Sequence, residues 1–249
     1  MPDKTPKNYI FASLLTGKYD VNRNELLHAD DYKLIQNWVK SVENLRLNGV
    51  VFHNSFSNET IAKYQSQYVQ FIQIDYDFTY NPNVYRYFAY LNYIEKNKAA
   101  IKNLFVTDIS DVVVLQNPFE NDFFKAHANQ LFSGDENEKI NNTWYYEHCK
   151  HLRNEIENFE LFELQNKNNT LLNCGIIGGS LELMQQTLAT MVHFHQQCAA
   201  NNNTPFTLDM GVFNYVMYSQ KISFHHGFPV NTIFKSYENE RTDCWFRHK

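Results

Sequence analysis

Two carboxylates, Asp108 and Asp111, stand three residues apart in LFVTDISDVVVLQNPF, residues 104–119, between two strongly apolar runs. A carboxylate buried unpaired among such side chains costs several kcal/mol or is forced to keep its proton. The pair must therefore sit at a sheet edge or be neutralised. A hard divalent cation, shared between carboxylate and phosphate oxygens, is an economical way to neutralise it. An aspartate accepting a turn amide is the structural alternative.

Four further segments carry candidate chemistry. LLNCGIIGGS, residues 171–180, sets Asn173 and Gly175 in a small-residue stretch before a helix. Small residues let a ligand approach the backbone, and amides at a helix start meet polar oxygens. TLDMGVFN, residues 207–214, puts Asp209 at the start of an apolar helix, where an aspartate serves as an N-cap. In FHHGFPVN, residues 224–231, His225 and His226 alternate faces, so at most one of the two serves a site, and a neutral imidazole is a reasonable ligand beside carboxylates. Arg86 is the lone arginine of an aromatic stretch, suited to a diphosphate or a carboxylate. The run Arg247-His248-Lys249 reads as a phosphate neutraliser or a frayed end. His148/His151 and His193/His195 have no partner set for zinc.

These residues need a scaffold. NYIFASLL, residues 8–15, predicts a buried strand. Leu34, Ile35, Trp38, Val42 and Leu45 predict a helix over 30–47, ended by Asn48-Gly49. Strands follow at 50–52 and 69–74, with helices at 59–67 and 83–97 and strand-like runs at 104–107 and 112–115. That alternation predicts a parallel sheet covered by helices, with ligands at the carboxyl ends of its strands. Thr16, His53, Asn54, Asp75 and Asp108 would gather along that edge. Residues 134–170 read as a polar excursion holding a charged helix near 148–163, either a lid over an acceptor or solvated surface. A strand at 171–177, helices at 181–199 and 208–219 and a strand at 222–224 complete a single domain.

Laid together, these blocks resemble the GT-A glycosyltransferases, whose DxD region delivers acidic residues to a metal-bound nucleotide diphosphate. Here the pattern is DxxD, and Asp111 takes the second acidic place. Asp108 stands one residue early, a candidate for the metal, the ribose or a neighbouring Lys or Arg. The resemblance implies a Rossmann-like α/β domain over residues 1–249. Its nucleotide-binding half would span about 8–119, and its donor-sugar and acceptor half about 120–249. It implies Mn²⁺ or Mg²⁺ on Asp108, Asp111 and His226. Donor contacts would come from Thr16, His53, Asp75, Arg86, Asp108, Asn173 and Gly175, and Asp209 would be the base of an inverting reaction. The partners would be a nucleotide sugar and a glycan or lipid-linked glycan.

Two other activities share the scaffold. A nucleotidyltransferase making sugar nucleotides wants a Gly-rich basic loop after the first strand, and LLTGKYD offers one Gly and one Lys. A silent carbohydrate-binding relative keeps the fold alone. A net charge of −5 argues against a nucleic-acid partner. No apolar run nears the roughly 20 residues of a spanning helix, which leaves peripheral membrane contact open. Four scattered cysteines and a start without an apolar leader lead us to expect a reduced, cytoplasmic protein.

Overall fold

The structure is a computed structural model that describes residues 5–20, 25–198, 209–220 and 222–249. Thr207, Leu208 and Ala199, at the edges of expected helices, lie outside the described residues. The chain opens with β1 (Lys7–Leu14), whose Phe11 faces one side of the sheet while Ile10 and Ala12 face the other. A small antiparallel pair, β2 (Tyr19–Asp20) and β3 (Glu25–Leu26), follows. Next come α1 (Gln36–Asn44), β4 (Asn48–His53), α2 (Asn58–Tyr64), β5 (Val69–Gln73) and α3 (Pro82–Asn97). The last of these starts where the Asn81 side chain accepts from the Asn83 amide and Pro82 fills the first position.

After β6 (Ile101–Thr107) and β7 (Val112–Val114), α4 (Asp122–Ala126) leads to β8 (Leu131–Lys139). Three short helices follow, α5 (Thr143–His148), α6 (Leu152–Glu155) and α7 (Phe159–Asn166). Then come β9 (Thr170–Ser180), α8 (Leu181–Gln197), α9 (Asp209–Ser219), β10 (Phe224–His226) and β11 (Phe246–His248).

Seven strands form one sheet in the order β10-β8-β9-β6-β1-β4-β5, and β9 alone runs against the rest. The expected α/β fold is therefore present as a single domain with a mostly parallel, Rossmann-like sheet. Helices α3, α8 and α9 cover one face with a core around Phe11, Phe52, Tyr90 and Phe213. On the other face, α1 and α4 join the β7–β11 ribbon around Trp38, Phe105, Phe132 and Trp245. Buried Trp38 donates from Nε1 to Thr107 Oγ1 at 2.8 Å, anchoring α1 to the last residue of β6. The residue after that anchor is Asp108.

Several expectations change. Gly49 does not end α1: Arg46 takes the left-handed turn at φ 53°, and Gly49 lies inside β4. Its missing Cβ is needed there, since one would stand 2.9 Å from Val42 Cγ1. The run at 112–115 does not extend the parallel sheet but pairs antiparallel with β11. The expected excursion at 134–170 holds most of β8, a central strand paired with β9 and β10. Its second half, Asp135-Glu136-Asn137-Glu138-Lys139, is all polar, so no apolar alternation marks it. The charged helix near 148–163 is broken into pieces, with Asn158 left-handed at φ 62° between α6 and α7.

At the centre of the second core, β9 passes under the Phe105 ring. A Cβ on Gly178 would stand 2.1 Å from Phe105 Cδ1, with Phe105 itself fully buried against Phe119, Phe124, Trp245 and Phe246. Overpacking of this kind costs about 1–3 kcal/mol. Gly178→Ala should therefore lower the denaturant midpoint at unchanged m-value. An unshifted midpoint would mean that the aromatic cluster yields freely.

Candidate functional site

The carboxyl edge of the sheet opens into a cleft of about 640 Å³. Following the sheet, its floor passes from Ser13–Leu15 after β1, through Asp108–Asp111 after β6, to Asn173 and Cys174 on β9 and Glu136 on β8. Asp209, at the first turn of α9, faces the same space. So does His248 of β11.

Asp108, Asp111 and His248 have ligand atoms within 4.8 Å of one another. His248 Nε2 lies 3.8 Å from Asp108 Oδ2 and 3.9 Å from Asp111 Oδ2. The β7–β11 ladder sets this register by pairing His248 with Val112, one residue beyond Asp111. The Lys249 amide also donates to the Asp111 carbonyl at 3.2 Å. Burial is the main reason that the His248 pKa falls to about 4, although Asp108 pulls it upward. The imidazole is therefore neutral at pH 7, and neither ring nitrogen has a hydrogen-bond partner. A neutral imidazole beside two partly exposed carboxylates is a fitting donor set for a divalent cation. Asp108, Asp111 and His248 are the residues that could hold one.

Gly175 forms the floor under this cluster. A Cβ there would meet His248 Cε1 at 2.6 Å and Asp108 Oδ2 at 2.7 Å. The Asp108 amide donates to the Gly175 carbonyl at 2.8 Å, and the Gly175 amide donates to Asn173 Oδ1 at 2.7 Å. The Asn173 Nδ2 donates in turn to Glu136 Oε1 at 3.0 Å. Burial raises the Glu136 pKa, partly offset by Lys235 and by that hydrogen bond.

Behind the cluster lies a buried guanidinium. Arg86 projects from α3 and pairs through Nη1 with Asp108 Oδ1 and through Nη2 with Asp209 Oδ2, the latter at 3.4 Å. Nη2 also reaches the Tyr87 hydroxyl at 3.0 Å and the Cys174 carbonyl at 3.4 Å. Burial alone would favour the neutral form, but Asp108 and its other neighbours hold the charge more firmly than usual. The Cys174 thiol, pushed up chiefly by burial, stays protonated and donates to Asp209 Oδ2 at 3.4 Å. Asp209 Oδ1 is buried without a hydrogen-bond partner. Among the described residues its side chain bonds Arg86 and Cys174, with no N-cap bond to its own helix.

The structure thus gathers Arg86, Asp108, Asp111, Asn173, Gly175 and Asp209 around one cleft. Four other candidates stand elsewhere. Thr16 bonds Asn54 and Ser55, tying the loop after β1 to the loop after β4. His53 is fully buried against Phe56 and Phe71, its Nδ1 accepting from the Phe56 amide at 3.2 Å. Asp75 is exposed and accepts the Tyr85 hydroxyl at its carbonyl. His226 is not beside the aspartates: its Nδ1 lies 2.9 Å from Asp135 Oδ2. His248 takes the place expected for it because β7 needs an antiparallel partner, and β11 supplies one. The valines of β7 and the apolar Trp245-Phe246 were the signal for that pairing. Glu136, Lys235 and Trp144, which also line the cleft, carry no local motif.

Neither the protein-family profiles nor the curated proteins give a match to this chain. Among the described residues, no helix is long and apolar enough to cross a membrane.

His248 and His226 make opposite forecasts for the metal. His248→Ala should weaken Mn²⁺ binding by at least tenfold in a calorimetric titration, as expected when one of three protein ligands is lost. His226→Ala should leave it within twofold. The reverse ranking would remove His248 from the site.

Proposed function

We propose that this chain is a GT-A-type glycosyltransferase that moves a sugar from a nucleoside diphosphate to a hydroxyl of a glycan or lipid-linked glycan. The observation that carries this reading is the Asp108–Asp111–His248 cluster, set at the carboxyl edge of a mostly parallel sheet and flanked by Asn173 and Asp209. Open α/β sheets bind ligands at that edge, and oxygen and imidazole donors suit Mn²⁺ or Mg²⁺. When bound, such an ion neutralises charge that develops on a departing diphosphate.

The protein's own groups divide the remaining work. Asn173 would meet a sugar hydroxyl through the second hydrogen of Nδ2, since Oδ1 accepts from the Gly175 amide and Nδ2 already donates once to Glu136. Arg86 is too deeply buried to serve as a free diphosphate clamp, so its contribution is to hold Asp108 and Asp209 in position. In an inverting reaction, the acceptor oxygen attacks the anomeric carbon, the bond to the diphosphate oxygen breaks, and the hydroxyl proton passes to Asp209. Oδ2 is engaged by Arg86 and Cys174, so the proton would go to Oδ1, which is buried and would have to be uncovered as the acceptor docks.

A nucleotidyltransferase is less well supported. It needs a basic, Gly-rich loop after β1 for a triphosphate. The lysine of that loop, Lys18, spends its ammonium on the carbonyls of Phe78 and Tyr80 at 2.9 and 3.2 Å.

Two measurements test the proposal. UDP or GDP at 100 times its Kd, with Mn²⁺, should stabilise the protein by about 2.7 kcal/mol, and Asp111→Asn should abolish the metal-dependent part. In transfer assays Asp111→Asn should lose about 10²-fold or more, as oxyanion-type stabilisation is lost. Asp209→Asn should cut turnover by roughly 10²–10⁴-fold while nucleotide affinity holds. Some thermal stability should also go, because Arg86 loses a charged partner. Turnover within threefold of the parent would exclude Asp209 as the base, and no stabilisation by any nucleoside diphosphate would sink the transferase reading.

A further inference from the structure

The chain has three tryptophans, and they are treated very differently by the fold. Trp38 and Trp245 are fully buried, whereas Trp144 is 44% exposed in the wall of the cleft. An indole left in a cleft is a large apolar contact without its counterpart, because its ring is among the biggest hydrophobic surfaces a protein owns.

Helix α5 holds this indole deliberately placed. Tyr145 and Cys149 point into the core, fully or almost fully buried. Trp144 and His148 lie one turn apart on the adjacent face, about 100° round the helix, and both line the cleft. Their rings stack at 4.2 Å with planes 27° apart, and His148 Nδ1 lies 2.7 Å from the Trp144 carbonyl oxygen. A side chain fixed in this way loses little rotamer freedom when a ligand covers it.

Glycine brings the helix close to the chemistry. A Cβ on Gly211 would stand 2.3 Å from Leu152 Cδ1 and 2.8 Å from Cys149 Sγ, so α5 and α6 dock against the start of α9, two residues from Asp209. Helix α9 is clasped to β9 in turn, with the Asn214 side chain bonded to both the amide and the carbonyl of Leu172. The indole therefore belongs to the β8–β9 side of the Asp108–Asp111–His248 cluster. The opposite side, after β1, presents Leu14 and Leu15.

We infer that Trp144 is the platform for a sugar ring of the acceptor, an assignment that rests on the transferase reading above. One face of a pyranose presents only C–H bonds, and their slight positive charge suits the negative face of an indole. The hydroxyl edge of the same ring needs polar partners, and Glu136 and Asp209 supply carboxylate acceptors in the same cleft. A nucleobase would also stack on an indole, but the apolar wall after β1 lies on the other side of the cluster and is its natural place. The acceptor class that follows is a glycan whose terminal residue is a pyranose, rather than an acceptor recognised through lipid or peptide.

The test uses the indole itself. Trp144 is the only exposed tryptophan, so acrylamide quenching of intrinsic fluorescence reports on it almost alone. Quenching is measured with UDP or GDP and Mn²⁺ present, against lactose, maltose, cellobiose, mannobiose and chitobiose. At least one disaccharide should lower the quenching constant twofold or more. By calorimetry that disaccharide should bind Trp144→Ala at least tenfold more weakly and Trp144→Phe within fivefold. Shielding by nucleotide and Mn²⁺ alone would assign the indole to the donor base and overturn the proposal. So would a lack of shielding by all five sugars, or equal affinity for parent and Trp144→Ala. A disaccharide that shields Trp144 in a protein that binds neither nucleotide would sink the transferase reading and leave the sugar platform standing.

Discussion

The site is organised by one buried charge. Taking a guanidinium out of water costs several kcal/mol unless fixed partners replace its hydration. Arg86 meets that cost with Asp108, Asp209, the Cys174 carbonyl and the Tyr87 hydroxyl. Those partners come from the turn after β6, from α9, from β9 and from α3 itself. The planar fork of arginine suits this task, because its donors point to several acceptors at once without rearrangement.

Around that charge the fold separates two kinds of carboxylate. Asp209 is buried and committed through one oxygen, whereas Asp108 and Asp111 are partly open to the cleft. Asp108 belongs to both settings, with Oδ1 turned to Arg86 and Oδ2 turned to His248. The first aspartate therefore spends half its capacity on holding the arginine, and only its Oδ2 faces the ligand atoms of Asp111 and His248. His248 completes the group because burial keeps its imidazole neutral, the form that donates a lone pair.

Glycines set the distances. Gly175 lets His248 and Asp108 approach the same strand, and Gly178 lets β9 pass beneath Phe105. Gly211 lets the helices after β8 dock at the start of α9, carrying Trp144 to the cleft wall. In each case the requirement is room for a neighbouring side chain, not a special backbone angle. Of the polar stretch after β8, Trp144 and His148 reach the wall of the cleft, while Tyr146, Leu161 and Leu164 stay on the surface.

Local chemistry was legible in the residues themselves. Apolar runs ending in polar residues foretold β1, β4, β5 and β6, and the helical spacing between them foretold the parallel, Rossmann-like arrangement. Asp108 and Asp111 stood out because carboxylates between valines and leucines must be compensated. Asn173, Gly175 and Asp209 stood out because small or polar residues interrupt an apolar strand or begin an apolar helix. What the sequence could not settle was partnership across the chain. That Arg86 faces two aspartates 22 and 123 residues away, and that β11 pairs with β7, are outcomes of tertiary closure. His226 and His248 look alike in the sequence, since each stands two residues after a phenylalanine in the last tenth of the chain. The fold alone decided between them: β10 pairs with β8 and turns His226 to Asp135, while β11 closes on the valines beside Asp111 and buries His248 there. Residue type and spacing determine which groups need compensation, and only the packed sheet determines which group supplies it.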